Sequence, residues 1–170
     1  MTREEINFRA FRQLVQHTEG TARSISKMNP YGVKVGYAKP EITDFSNHPA
    51  NLGWKGTWIP SISKFSTAAG AYQFIKPTWN SLKLPDFTET SQDKGFEILI
   101  KQAKAFELIN LGNFEEAIHK LAPVWASLPL ARTAIIAGKT RQRNESAYPG
   151  QKAWTMDKCL KFIDDFKKKV

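Results

Sequence analysis

Apolar and polar positions along the chain follow two distinct rhythms in three successive stretches. Near the start, Ile6, Ala10, Phe11, Leu14 and Val15 recur at three- and four-residue spacing, which predicts an amphipathic helix over about 3–18. Thr2 followed by Glu5 forms a capping-box pattern at its start, and Glu19-Gly20 ends it, glycine being able to take the left-handed conformation that closes helices. From about 21 to 68 the helical period is lost. Gly, Pro, Ser, Asn and Thr dominate there, and short alternating fragments, Val33-Lys34-Val35 and Ile42-Thr43-Asp44-Phe45, predict a small antiparallel sheet with long loops. Helical spacing then returns. Pro77 suits the first turn of a helix bearing Trp79 and Leu82. Thr90 or Ser91 is placed to cap a longer helix to about 109, with Phe96, Leu99, Ile100, Ala103 and Phe106 inward. Asn113 and Glu116 begin a short helix that stops before Pro123; residues 129–150 are irregular and basic. A last helix over about 153–169 aligns Met156, Cys159, Leu160, Ile163 and Phe166. With no repeat or linker, the expectation is one domain over 1–170, α+β and mostly helical, with a small sheet lobe.

Composition narrows the class. At 170 residues with 41% hydrophobic content, the chain can bury a real core. Its formal net charge of +9 implies a polyanionic partner: nucleic acid, an anionic membrane face or an acidic wall polymer. The basic residues are scattered and no nucleic-acid motif is present, so a non-catalytic nucleic-acid module is the distant alternative. Cys159 sits in a helical pattern among apolar neighbours and reads as a small core residue; no Cys/His cluster has metal-ligand spacing, and neither metal nor cofactor is expected. The opening Met-Thr-Arg-Glu-Glu lacks the apolar stretch of a secretory signal, and no run approaches a membrane span. The expected site of synthesis is the cytoplasm.

Glu19 is the candidate for chemistry, with an ordinary solvated glutamate at a helix end as the other reading. A carboxylate at a helix C-terminus faces the negative end of the macrodipole, and burial also disfavours its charged form. A carboxylic acid still protonated near neutral pH is what glycosidic cleavage requires. Asp44 is the obvious second carboxylate, although Asp-Phe-Ser-Asn equally suits a turn closed by side-chain-to-backbone bonding. Trp54 and Trp58 lie in a Gly- and Pro-bounded stretch, where they either stack on pyranose rings or pin a loop to the core. His48-Pro49 shapes a turn; His48 is a structural histidine, a glycan contact or a neighbour biasing Glu19. His17 and His119 are expected at the surface, and Trp79 and Trp125 in the core.

Thr18-Glu19-Gly20 resembles the catalytic segment of the lambda-type phage endolysins. The likeness continues in order through Asp44-Phe45-Ser46-Asn47-His48-Pro49, Ser66-Thr67-Ala68-Ala69-Gly70-Ala71-Tyr72-Gln73, Phe87, Ser91-Gln92-Asp93 and Val124-Trp125-Ala126-Ser127-Leu128-Pro129. It implies a lysozyme-like fold with a cleft between lobes, and cleavage of the β-1,4 bond between N-acetylmuramic acid and N-acetylglucosamine in peptidoglycan. It also implies a lytic transglycosylase outcome with Glu19 as the single acid; a hydrolase pairing Glu19 with Asp44 is the alternative. Gly70-Ala71-Tyr72-Gln73 resembles the Gly-x-x-Gln segment of transglycosylase and goose-type lysozyme clefts, which implies that Gly70 lets backbone approach the sugar and Gln73 bonds an acetamido or hydroxyl group. Tyr72 either holds the sugar or belongs to the core, and Ser66 and Thr67 border the same site. After Pro129 the chain departs from the family, with Leu130-Ala131-Arg132-Thr133-Ala134 replacing a Gly-rich segment. Glycan cleavage needs only a monomer, and the resemblance further implies action on periplasmic peptidoglycan after a partner permeabilises the membrane. The last helix and tail, from Lys152 on, carry Lys152, Lys158, Lys161, Lys167, Lys168 and Lys169, and form either an ordinary packed helix or a contact for anionic lipid or lipopolysaccharide.

Overall fold

The computed structural model describes residues 1–170. In chain order its elements are α1 (Arg3–Thr18), α2 (Arg23–Ser26), β1 (Thr57–Ile59), β2 (Lys64–Ser66), α3 (Lys76–Leu82), α4 (Glu89–Gln102), α5 (Phe106–Leu111), α6 (Phe114–Leu121), β3 (Ala134–Ile136), β4 (Lys139–Arg141) and α7 (Met156–Lys167), with short 3-10 turns at Pro30–Gly32, Val35–Tyr37, Pro49–Asn51 and Pro60–Ile62. The chain forms two compact units, one of Met1–Thr18 with Leu99–Val170 and one of Glu19–Ile98. No helix is long and apolar enough to cross a membrane.

The first unit is a helical assembly. The capping box forms: Thr2 N donates to Glu5 Oε2 at 2.8 Å and Glu5 N to Thr2 Oγ1 at 3.2 Å. The apolar stripe of α1, Ala10, Phe11, Leu14 and Val15, is fully buried, and α1 packs against α5 and α7. From α5 to α7, Ile109, Ala117, Ile118, Leu121, Met156, Cys159 and Ile163 are also buried, each contributing the apolar burial that drives folding. Burial raises the Cys159 thiol to a pKa of about 12, consistent with an inert core group. The expected helix to about 109 breaks: Lys104 takes a left-handed conformation, φ 56°, and α5 begins afresh at Phe106. The last helix starts at Met156 rather than 153, capped by Thr155, whose Oγ1 accepts from Lys158 N at 3.3 Å. Within the irregular stretch lies an unexpected hairpin, β3–β4, pairing Ala134 with Arg141 and Ile136 with Lys139. Arg132 and Arg143 anchor its base to Glu116 and Glu115 of α6. His119 is half-buried rather than at the surface, its Nδ1 accepting from Ala131 N at 3.1 Å.

The second unit is built on an aromatic cluster. Tyr72 stacks on Phe96 with centroids 4.4 Å apart, and Phe74, Trp79 and Phe87 continue the chain of ring contacts at 5.1 and 4.6 Å. The antiparallel pair here is β1–β2, in register Thr57↔Ser66, Trp58↔Phe65 and Ile59↔Lys64. Of the two expected strands, Val33-Lys34-Val35 pairs only through the bridge Lys34↔Ala69 and two flanking backbone bonds, Gly70 N to Val33 O at 2.7 Å and Val35 N to Ala68 O at 2.9 Å. Residues 42–45 form no strand; a turn at Asp44–Ser46 takes their place. The cap of α4 is also displaced, since Thr88 Oγ1 accepts from Ser91 N at 3.4 Å and Ser91 Oγ itself donates to Asp86 at 2.7 Å.

Candidate active site

Glu19 is the first residue beyond α1, half-exposed in a turn, and Gly20 follows in the left-handed region at φ 73°. Two side chains fasten this turn within the second unit. Buried Thr21 donates from Oγ1 to the Ala71 carbonyl at 2.6 Å, tying the segment to the Gly70–Gln73 turn. Tyr37 donates its phenol to the Gly20 carbonyl at 3.0 Å. Neither Thr21 nor Tyr37 was singled out from the sequence, because both contacts depend on residues distant along the chain.

Gln73 stands half-exposed with φ 50°, its Nε2 donating to Gly70 O at 3.0 Å and to Val33 O at 3.4 Å. Those bonds commit the amino end and leave Oε1 as the end able to meet a ligand. Ser66 and Thr67 close local turns: Ser66 Oγ accepts from Ala68 N at 3.3 Å, and Thr67 Oγ1 accepts from Lys76 N at 3.0 Å, at the start of α3.

Three of the candidate sugar contacts, Tyr72, Gly70 and His48, lie in the core. Tyr72 has no exposed surface; its ring lies on Phe96 and its hydroxyl donates to Asp93, which also accepts from Tyr31 at 2.9 Å. Neither ring face nor phenol is presented to a ligand. Gly70 is buried, and a β-carbon there would stand 2.1 Å from Gln92 Oε1, so glycine is required by a side chain rather than by a sugar. His48 is also wholly buried. Its Nδ1 accepts from Ala50 N at 3.2 Å, which leaves Nε2–H to donate to the Phe74 carbonyl at 2.8 Å. Burial above all lowers its pKa, so the neutral tautomer fits this setting. His48 is the structural histidine among its possible roles.

Asp44 is exposed and accepts from Ser46 N at 2.9 Å; hydrogen bonding from the Ser46 side chain first, and then from this backbone N–H, holds its pKa below the ordinary carboxylate value. It thereby closes a turn. Trp54 is half-buried beneath Lys34, whose ammonium lies 5.2 Å from the ring centroid. Lys34 is itself buried and desolvation lowers its pKa. Trp58, by contrast, is 50% exposed and meets Phe65, 63% exposed, edge to face at 5.3 Å across the β1–β2 pair. Phe65 went unremarked in the sequence, although Lys64-Phe65-Ser66 alternates opposite Trp58.

The chain matches the family model described as Endolysin over residues 9–149. It is 37% identical to the endolysin of Escherichia phage P2 over 131 residues, 72% of this chain and 79% of that protein. To the endolysin of Escherichia phage lambda it is 34% identical over 125 residues, 71% of this chain and 76% of the relative. Among solved structures it superposes on bacteriophage lambda lysozyme complexed with a chitohexasaccharide, with a TM-score of 0.75 and 27% identity over 98% of this chain and 95% of that one. A second structure of lysozyme from bacteriophage lambda gives a TM-score of 0.72 at 26% identity, over 99% of this chain and 94% of that one. The fold is therefore α+β and lysozyme-like.

Proposed function

The chain belongs to the endolysin family, the lambda-type phage enzymes that degrade peptidoglycan, and we propose that it cleaves the glycan strand as a lytic transglycosylase with Glu19 as its acid. The observation that carries this reading is the seating of Glu19: it leaves α1 in a turn held by Thr21 and Tyr37, beside the turn that presents Gln73. A general acid must be held within hydrogen-bond reach of the oxygen it protonates, and a doubly fastened backbone meets that need.

In the proposed reaction the Glu19 carboxyl donates its proton to the oxygen joining N-acetylmuramic acid to N-acetylglucosamine, and the C1–O bond breaks. The resulting carboxylate then removes the proton from the muramoyl C6 hydroxyl. That oxygen attacks C1 and closes a 1,6-anhydro ring, so the proton given up is regained and no water is consumed. The exposed Trp58–Phe65 pair offers apolar faces to pyranose rings, and Gln73 Oε1 an acceptor for a sugar amide or hydroxyl; Trp54, Ser66 and Thr67 are the remaining candidate contacts. The chitohexasaccharide held by the similar lambda lysozyme supports a glycan in this role. The enzyme works as a monomer on periplasmic peptidoglycan once the membrane has been permeabilised.

One observation favours a second reading. Hydrogen bonding from the Ser46 side chain and backbone lowers the Asp44 pKa, which suits the carboxylate partner of a hydrolase. Mass spectrometry of digested peptidoglycan separates the two: anhydromuropeptides are lighter by one water than hydrolysed ones. We expect anhydro products, and Glu19→Gln to abolish them while leaving the circular dichroism spectrum and melting temperature intact. Reducing-end products free of the anhydro form would transfer the assignment to the hydrolase, and an active Glu19→Gln enzyme would remove Glu19 from its role.

A further inference from the structure

Tyr37 lies in the left-handed region at φ 54°, directly after Gly36 at φ 68°. A bulky aromatic side chain is disfavoured there, and such strain persists only where the surroundings impose it. Core packing does not impose it, since Tyr37 is 46% exposed. What the conformation achieves is the phenol's reach to the Gly20 carbonyl at 3.0 Å. The hydroxyl closes over Gly20 so tightly that a β-carbon at position 20 would stand 2.8 Å from it. The segment bearing Tyr37 is held in turn by the hairpin. Thr57 Oγ1 donates to the Val35 carbonyl at 3.0 Å, and a β-carbon at Gly36 would lie 3.2 Å from the Thr57 methyl. Thr57 adjoins Trp58 in β1.

We propose that Tyr37 is a positioning residue: its hydroxyl latches the Glu19–Gly20 turn to the hairpin that carries Trp58 and Phe65. The inference rests on the reading of Glu19 as the acid. Proton donor and aromatic surface then share one frame, so a glycan seated on the hairpin has its scissile oxygen in fixed register with Glu19. Loss of the latch loosens the donor without removing a contact to sugar. Its cost therefore falls on turnover rather than on substrate binding, since misplacement of a reacting group by about 1 Å can cost up to about a hundredfold in rate.

The test compares Tyr37→Phe, Tyr37→Gly and Glu19→Gln on purified soluble glycan strands, measuring kcat, KM and melting temperature. Tyr37→Phe keeps the ring and removes only the donor. We expect kcat to fall roughly three- to tenfold with KM within about twofold and the melting temperature essentially unchanged. Tyr37→Gly relieves the left-handed strain, so its melting temperature should hold or rise while kcat falls at least as far. A Tyr37→Phe enzyme with kcat within about twofold of the parent, beside an inactive Glu19→Gln, overturns the latch and leaves Glu19 in place. A raised KM at unchanged kcat overturns it too, by making Tyr37 a sugar contact. So does a fall in melting temperature that accounts for the lost turnover. An active Glu19→Gln removes both readings together.

Discussion

His48 shows how one buried side chain sets a pH limit on the fold. Its two ring nitrogens serve opposite roles, accepting from Ala50 N and donating to Phe74 O, and an imidazolium can do only the second. Burial, the largest cause, lowers its pKa below the ordinary 6.5, and Lys76 adds to the shift against the raising effect of Phe74. A folded state that prefers the neutral ring binds fewer protons than the unfolded chain. The contribution of His48 to stability is thus fully present above pH 6.5 and is lost as the pH falls through the window beneath it. Half-buried His119, also lowered chiefly by burial, contributes in the same direction. Thermal melts between pH 7.5 and 5 should show a falling melting temperature, with a shallower slope in His48→Gln; an unchanged slope in that variant would exonerate His48. The sequence left the role of His48 open, because His-Pro marks a turn without revealing what covers it. Gly70 misled, and Tyr72 stayed open between sugar contact and core, for a related reason. Their motif reports that something approaches closely, and here the approaching groups are Gln92, Phe87 and Phe96 rather than a sugar. Glu19 stands out in the sequence because helix end, glycine and family segment coincide at one point of the chain.

Elements whose signals are local were the most readable. The capping box of α1 needs only Thr2 and Glu5, and both bonds form. The break at Lys104 was invisible, since Ala103 and Phe106 continue the apolar spacing of α4 across it. The β3–β4 hairpin was hidden by its turn, where Ala137 takes φ 49° before Gly138 at φ 75°; alanine is a poor marker of a two-residue turn that favours Asn-Gly. The α7 stripe was legible, and its burial decides what a truncation would do. Met156, Cys159 and Ile163 have no exposed surface and the helix packs on α1, so removing residues 152–170 uncovers the buried face of α1. A single Ile-to-Ala change at such a site costs about 2–5 kcal/mol, and loss of the whole helix removes several such side chains. The truncated chain should therefore lose its cooperative melt and its activity on intact cells and purified peptidoglycan alike. A truncation that still cleared purified peptidoglycan at the parent rate would show α7 to be dispensable for the fold. Any membrane role of this helix has to be sought by neutralising exposed Lys158, Lys161, Lys168 and Lys169, which leaves the packed stripe in place.

For the molecule as a whole, the net charge of +9 acts on encounter rather than on bond cleavage. Several cations are already paired at the surface, Arg132 with Glu116, Arg143 with Glu115 and Lys161 with Asp165. The excess of 25 Lys and Arg over 16 Asp and Glu nevertheless leaves a basic protein whatever the pairing. Against the extended polyanion of a bacterial wall, such a field would raise the protein's local concentration and speed association. Salt shortens the reach of that field: the screening length is about 10 Å at 0.1 M and about 3 Å at 1 M. Clearing of peptidoglycan suspensions should accordingly slow, roughly severalfold, between low and moderate ionic strength. A neutral chito-oligosaccharide offers no charge to attract, so its binding, read by quenching of tryptophan fluorescence, should hardly respond to the same salt. The proton movements assigned to Glu19 need no mobile ion, and turnover at saturating soluble glycan should also hold steady. Equal salt sensitivity on charged wall and neutral oligosaccharide would place the effect in the site or the fold, and would deprive the basic surface of its part in finding the wall.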